Sequence, residues 1–161
     1  FGILAYQIRD LDLNRKHQQI QKTAPDGALF RRVGDMGGRG HHKFTNETDY
    51  YNDLSSSWFG LTCKKGGWDC LRHYEIIAAG TLLLFRDYDL KPPLCSPQNL
   101  PCFSYSSAEE LNQLMNRLVQ NNKPTDEYKA MLYQQRMWLD QCGTTVARAR
   151  AILEVLKNGT N

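Results

Sequence analysis

Apolar residues along this chain fall into short runs, separated by stretches where they recur every three or four positions. Phe1 to Gln7 is apolar and suits a buried strand. Asp10 or Asp12 caps a helix to about Lys22, with Leu11, Leu13, His17 and Ile20 as its stripe. Pro25-Asp26-Gly27 marks a turn, and Ala28 to Val33 reads as a second strand. Gly34 to Lys43 is loop. Thr45 or Asn46 caps a short helix through Leu54, which ends at Ser55-Ser56-Ser57. Trp58 to Cys63 is the next strand, and Lys64 to Trp68 a tight loop. Asp69 is placed to cap a helix over Cys70 to Ala79, with Gly80 at its C-terminal stop. Thr81 to Phe85 is a continuous apolar strand, the pattern of a sheet covered on both faces.

Tyr88 to Pro101 holds four prolines and is loop, followed by a short strand over Cys102 to Tyr105. Ser107 and Glu110 form a capping box. Leu111, Leu114, Met115 and Leu118 then follow in helical register. Pro124 opens another helix, with Tyr128, Met131, Leu132 and Leu139 inward, and Gly143 breaks it. A last helix carries Val146, Ala149, Leu153 and Leu156 as its apolar positions.

Strands alternating with helices predict an α/β fold with right-handed crossovers. The expected architecture is a Rossmann-like open parallel sheet of about five strands, flanked by helices, with a helical C-terminal tail. Residues 1–161 form one domain. Ligands of such sheets bind beyond the carboxyl ends of the strands, at a switch point in strand order. That draws attention to the loops at Arg9–Asp10, Gly34–His42, Lys64–Trp68 and Arg86–Asp89.

Composition narrows the classes. The chain has 161 residues, 41% hydrophobic and 23% charged, which excludes a disordered or collagen-like protein. The longest apolar stretch, Ile76 to Phe85, is interrupted at Gly80 and Thr81, so no transmembrane segment is expected. Twenty basic against 17 acidic residues leave a net charge of +3. The charges are mixed evenly along the chain, so no nucleic-acid partner is expected. The mildly basic stretch Arg9–Lys43 would be the place to look for one. Cys63, Cys70, Cys95, Cys102 and Cys142 have no C-x-x-C spacing and read as reduced thiols, hence a cytoplasmic setting. Phe1 in place of an initiator Met suggests a piece of a longer chain.

The chemically informative segment is Lys64 to Gly80, KKGGWDCLRHYEIIAAG. Two lysines end a strand. Gly66 and Gly67 let backbone approach a ligand, and the next helix points free N–H groups into the same space. This is a reasonable phosphate seat, though neither a P-loop nor a G-x-G-x-x-G fingerprint. Arg72 and Glu75 lie three apart on that helix, either as a solvated ion pair or with Glu75 on sugar hydroxyls. Trp68 is the tryptophan expected to meet a ligand, while Trp58 and Trp138 suit the core.

A strand, then G-G-W-D-x-L-R-x-Y-E-x-x-A-A-G, then an apolar strand resembles the donor-binding half of GT-B glycosyltransferases. The similarity is greatest to the glycosyltransferase group 1-like C-terminal domain. It extends over residues 44–157 and, more loosely, over 1–43. It implies a nucleotide-diphosphate sugar as donor substrate, with Glu75 on the ribose. Gly66, Gly67 and Trp68 would face the diphosphate and sugar, joined by Lys64, Lys65 and Arg72. Gly80 and Thr81 would lie near the nucleotide. It further implies no cofactor, no metal, and an N-terminal partner domain in the same protein. The acceptor and the catalytic residues stay unassigned. The sequence departs from the family in having Gly67 where many members carry a second acidic residue. The alternative is a non-catalytic nucleotide- or protein-binding module on the same scaffold.

Other constellations are weaker. His41-His42 lacks converging ligands for a metal site. His73 reads as a surface histidine or a sugar contact. Cys70 lacks an evident base. Asp69 and Glu75, six apart, would point from different faces of one helix, which rejects them as a glycosidase pair.

Overall fold

The computed structural model describes residues 2–5 (as backbone), 46–64 and 66–158. Four strands form one parallel sheet: β1 (Gly2–Ala5), β2 (Ser57–Cys63), β3 (Leu82–Arg86) and β4 (Phe103–Tyr105), in the order β1-β2-β3-β4. The α/β class holds, with four strands rather than five in that sheet among the described residues. Their order follows the chain without reversal, so these strands define no switch point. The helix expected to reach Lys22, the strand Ala28–Val33 and the loop Gly34–Lys43 lie outside the described residues. So do Arg9, His17, His41-His42 and Lys65.

Five α-helices accompany the described sheet: α1 (Glu47–Ser55), α2 (Leu71–Ala78), α3 (Ala108–Leu118), α4 (Asp126–Trp138) and α5 (Thr145–Asn158). Side chains alternate across β2 and β3, and both of their faces are covered. On one face Phe59, Leu61, Leu82, Leu84 and Tyr105 meet Leu111, Leu114, Met115 and Leu118 of α3, with Tyr128 of α4. On the other, Leu83 and Phe85 meet Leu54 of α1, Ile76 and Ile77 of α2, and Trp138 and Leu139. Gly60 points to this second face. A Cβ there would lie 2.4 Å from Ile76 Cγ2, so only glycine lets α2 sit this close to β2.

Local signals explain most helix limits. The Asn46 side chain accepts the Asp49 amide and starts α1. Ser107 Oγ accepts the Glu110 amide at 3.1 Å, and the Glu110 carboxylate receives the Ser106 amide and hydroxyl. Gly80, at φ +77°, terminates α2 in the left-handed region. Three expectations change. Cys70, not Asp69, is the N-cap of α2, with no side-chain cap bond. Pro124 belongs to a two-stranded hairpin, β5 (Val119–Gln120) and β6 (Lys123–Pro124), whose turn residues Asn121 and Asn122 both have positive φ. Thr125 then caps α4. Beyond α4 the chain passes through a π-helical turn, Leu139–Gly143. A Cβ on Gly143 would meet Leu139 Cδ1 at 2.7 Å and Tyr74 Cδ1 at 3.0 Å.

α5 is the outlier. None of its residues is buried, and Val146, Leu153 and Leu156, expected to form its apolar stripe, are 59%, 54% and 61% exposed. No helix among the described residues is long and apolar enough to cross a membrane.

Candidate functional site

A cleft of about 630 Å³ opens between α2 and the start of α5. The α2 wall presents Leu71, Tyr74, Glu75 and Ala78, at helical spacing on one face, with Asp69 and Cys70 just before the helix. Tyr51 of α1 closes one side. The opposite wall is Leu139 and Gly143 of the π-helical turn, then Thr144, Thr145 and Arg148.

Glu75 is half-buried and held in place from a neighbouring helix. Tyr50 donates its hydroxyl to Glu75 Oε2 at 2.8 Å. The Tyr50 and Tyr51 rings are tilted against each other, 5.2 Å apart. Burial, and then the Glu75 and Glu47 carboxylates, raise the pKa of the Tyr51 hydroxyl above its ordinary value. The cleft therefore has an oriented carboxylate beside an aromatic ring.

A second polar group lies at the N-terminal end of α2. Tyr74 donates to Asp69 Oδ1 at 2.7 Å, and Arg148 donates to the Tyr74 hydroxyl. The Arg148 guanidinium also stands 4.6 Å from the Tyr74 ring centre and 3.6 Å from Asp69 Oδ2. Tyr74 in turn stacks on Trp138 at 5.6 Å. Burial first, and the Asp69 carboxylate second, raise the Tyr74 hydroxyl far above its usual range. Asp69 and Glu75 thus line one cleft, against the expectation of different faces. α2 begins only at Leu71, so the helical-wheel argument does not apply to Asp69.

His73 is neither a surface histidine nor a cleft residue. It is fully buried, with Nδ1 3.1 Å from Thr62 Oγ1 and Nε2 3.1 Å from the Trp68 carbonyl. A carbonyl only accepts, so Nε2 carries the proton and Nδ1 accepts from the Thr62 hydroxyl. Burial lowers its pKa to about 4, outweighing the opposing pull of the Trp68 carbonyl. The neutral ring ties the end of the glycine loop to β2.

The predicted site residues among the described ones fall into four groups. Glu75 lines the cleft. Lys64, Gly66, Gly67 and Trp68 form the loop after β2. There Gly66 and Gly67 are exposed, and a Cβ on either meets nothing within 4 Å. Lys64 Nζ lies 5.4 Å from the Trp68 ring, which is half-buried against Phe85. Arg72 is half-buried and is not among the cleft-lining residues. Gly80 and Thr81 lie beyond the far end of α2, a helix about 12 Å long. The Thr81 side chain is fully buried and donates to the Leu54 carbonyl at 2.5 Å, a packing role. Tyr50, Tyr51 and Arg148 escaped the sequence reading, because they reach the site from helices other than α2: the tyrosines from α1 and Arg148 from α5.

All five cysteines are free thiols. Among the described residues no group of three or more His, Cys, Asp or Glu side chains converges as metal ligands would. No protein-family model, curated protein or solved structure matches this chain.

Proposed function

We propose that this chain is the donor-binding domain of a GT-B-type glycosyltransferase. It would be the C-terminal half of a two-domain cytoplasmic enzyme that holds a nucleotide-diphosphate sugar. One observation carries the reading. The Glu75 carboxylate, oriented by Tyr50, lines an open cleft beside Tyr51, in the helix that follows a glycine loop. A carboxylate accepts two vicinal hydroxyl donors well, and an aromatic face suits a base or sugar. Lys64, Lys65, Gly66, Gly67 and Arg72 are then the groups for the diphosphate. Positive charge and loop amides near the start of α2 favour the negative charge that develops as the nucleotide departs. The acceptor belongs to the other domain.

The test is a thermal-shift screen of nucleoside diphosphates and nucleotide sugars, repeated on Glu75→Ala. A ligand at 100 times its Kd stabilises the folded state by about 2.7 kcal/mol. A shift with one nucleotide family, lost in Glu75→Ala, is the expected result. No shift at millimolar ligand, or a shift unchanged in Glu75→Ala, would remove the reading. Binding without glycosyl transfer by the full-length protein would favour the alternative, a non-catalytic nucleotide-binding module.

A further inference from the structure

Arg148 is the one cation among the described residues that line the cleft, and it comes from the tail rather than from the segment around Glu75. Its surroundings fix its position without using up its charge. The guanidinium is stacked on Tyr74, whose ring is itself stacked on the buried Trp138. The contact with Asp69 Oδ2, at 3.6 Å, is longer than a hydrogen bond, and both side chains are partly exposed, at 49% and 35%. Asp69 has a second, shorter bond from Tyr74 at 2.7 Å. If Arg148 turned away, Asp69 would still be satisfied. A planar guanidinium held over an aromatic ring, bonded to the neutral Tyr74 hydroxyl and only loosely paired with a carboxylate, faces an open cleft and suits an incoming anion with two or more oxygens.

We propose that Arg148 is a binding residue for a diphosphate group in this cleft, exchanging its contact with Asp69 for the ligand's oxygens. This rests on the reading of the cleft as a nucleotide site. It adds that the phosphate charge is met inside the cleft by the tail helix α5, the described part of the glycine loop lying outside the cleft lining. Asp69 then acts as the competitor that balances the Arg148 charge and rejects ligands too weakly charged to displace it.

Titration calorimetry with inorganic pyrophosphate, and separately with unphosphorylated nucleosides, tests this on the whole chain. Losing a charge-assisted contact of this kind costs about tenfold in affinity. Arg148→Ala should therefore weaken pyrophosphate about tenfold. Asp69→Asn, which removes the competitor, should tighten it several-fold. Glu75→Ala should lose the nucleoside and, because it removes a second carboxylate from the cleft, should not weaken pyrophosphate. Arg148→Lys keeps charge and stem but not the planar fork, and should bind more weakly than wild type. It is the variant to read if Arg148→Ala melts early. Pyrophosphate that fails to bind the wild-type chain, or that binds Arg148→Ala as tightly as wild type, overturns the proposal. Pyrophosphate bound through Arg148 with no nucleoside bound at all would leave this anion site standing and remove the nucleotide reading.

Discussion

The two faces of the sheet are built on different principles. The face covered by α3 is almost wholly apolar: Phe59, Leu61, Leu82, Leu84 and Tyr105 against Leu111, Leu114, Met115 and Leu118. The face covered by α1, α2 and the end of α4 surrounds its apolar residues with specific polar contacts. His73 joins Thr62 to the Trp68 carbonyl, and Thr81 bonds Leu54. Tyr50 holds Glu75 from α1, and Tyr74 joins Asp69 to Arg148. An apolar face stabilises without directing; volume and pattern suffice. Directional hydrogen bonds hold particular atoms in particular places; the α3 face has such a bond from Tyr128 to the Trp58 carbonyl, but the cleft lies on the side richer in them.

Truncation on the apolar face should produce the largest loss. Leu84→Ala empties a fully buried site on β3 and should cost about 2–5 kcal/mol in denaturant unfolding. Any nucleotide response per folded molecule should stay unchanged. A selective loss of ligand binding there would break the distinction between the faces.

His73 should give the polar face a pH signature. Its pKa is about 4 when folded and about 6.5 when unfolded. Above about pH 6.5 both states are neutral and the group contributes nothing to pH dependence. Between about pH 6.5 and 4 only the unfolded chain takes up the proton, so stability falls as pH falls. The full drop is about 3 kcal/mol at ~1.4 kcal/mol per unit, and it levels off below pH 4. Unfolding midpoints across this window should lose that slope in His73→Gln. An unchanged slope would assign it to other groups.

Gln135 tests whether polar groups also hold the sheet itself. Fully buried on α4, it accepts the Leu83 amide and donates to the Leu83 carbonyl, both at 3.0 Å. β4 pairs with β3 only from Leu84 onward, so the amide side chain substitutes for a strand partner at Leu83. Gln135→Leu keeps the bulk but orphans two buried backbone groups, and should cost about 2 kcal/mol. Faster hydrogen exchange at the Leu83 amide would accompany it. At the bottom of the scale, Lys129→Ala removes an exposed pair with Asp126 and should leave the melting midpoint unchanged.

Much of the local structure was determined by the sequence alone. Periodicity and caps located α1, β2, β3, β4, α3 and the break at Gly143 to within a residue or two. The signals there are short-range: Asn46 and Ser107 reach amides three residues on, and Gly80 takes a left-handed φ. The pattern also marked Glu75 and the glycine loop, because they lie on one continuous segment. Pairings between distant segments were decided only by tertiary structure. His73 and Gln135 are polar residues whose burial depends on a partner 11 and 52 positions away. Arg148 lies 74 positions from the tyrosine it joins, and Tyr50 lies 25 from Glu75. The apolar spacing of α5 suggested a buried face, yet the described residues leave that face exposed. Spacing reports which side of a helix is apolar. What meets that side depends on how the rest of the chain folds around it.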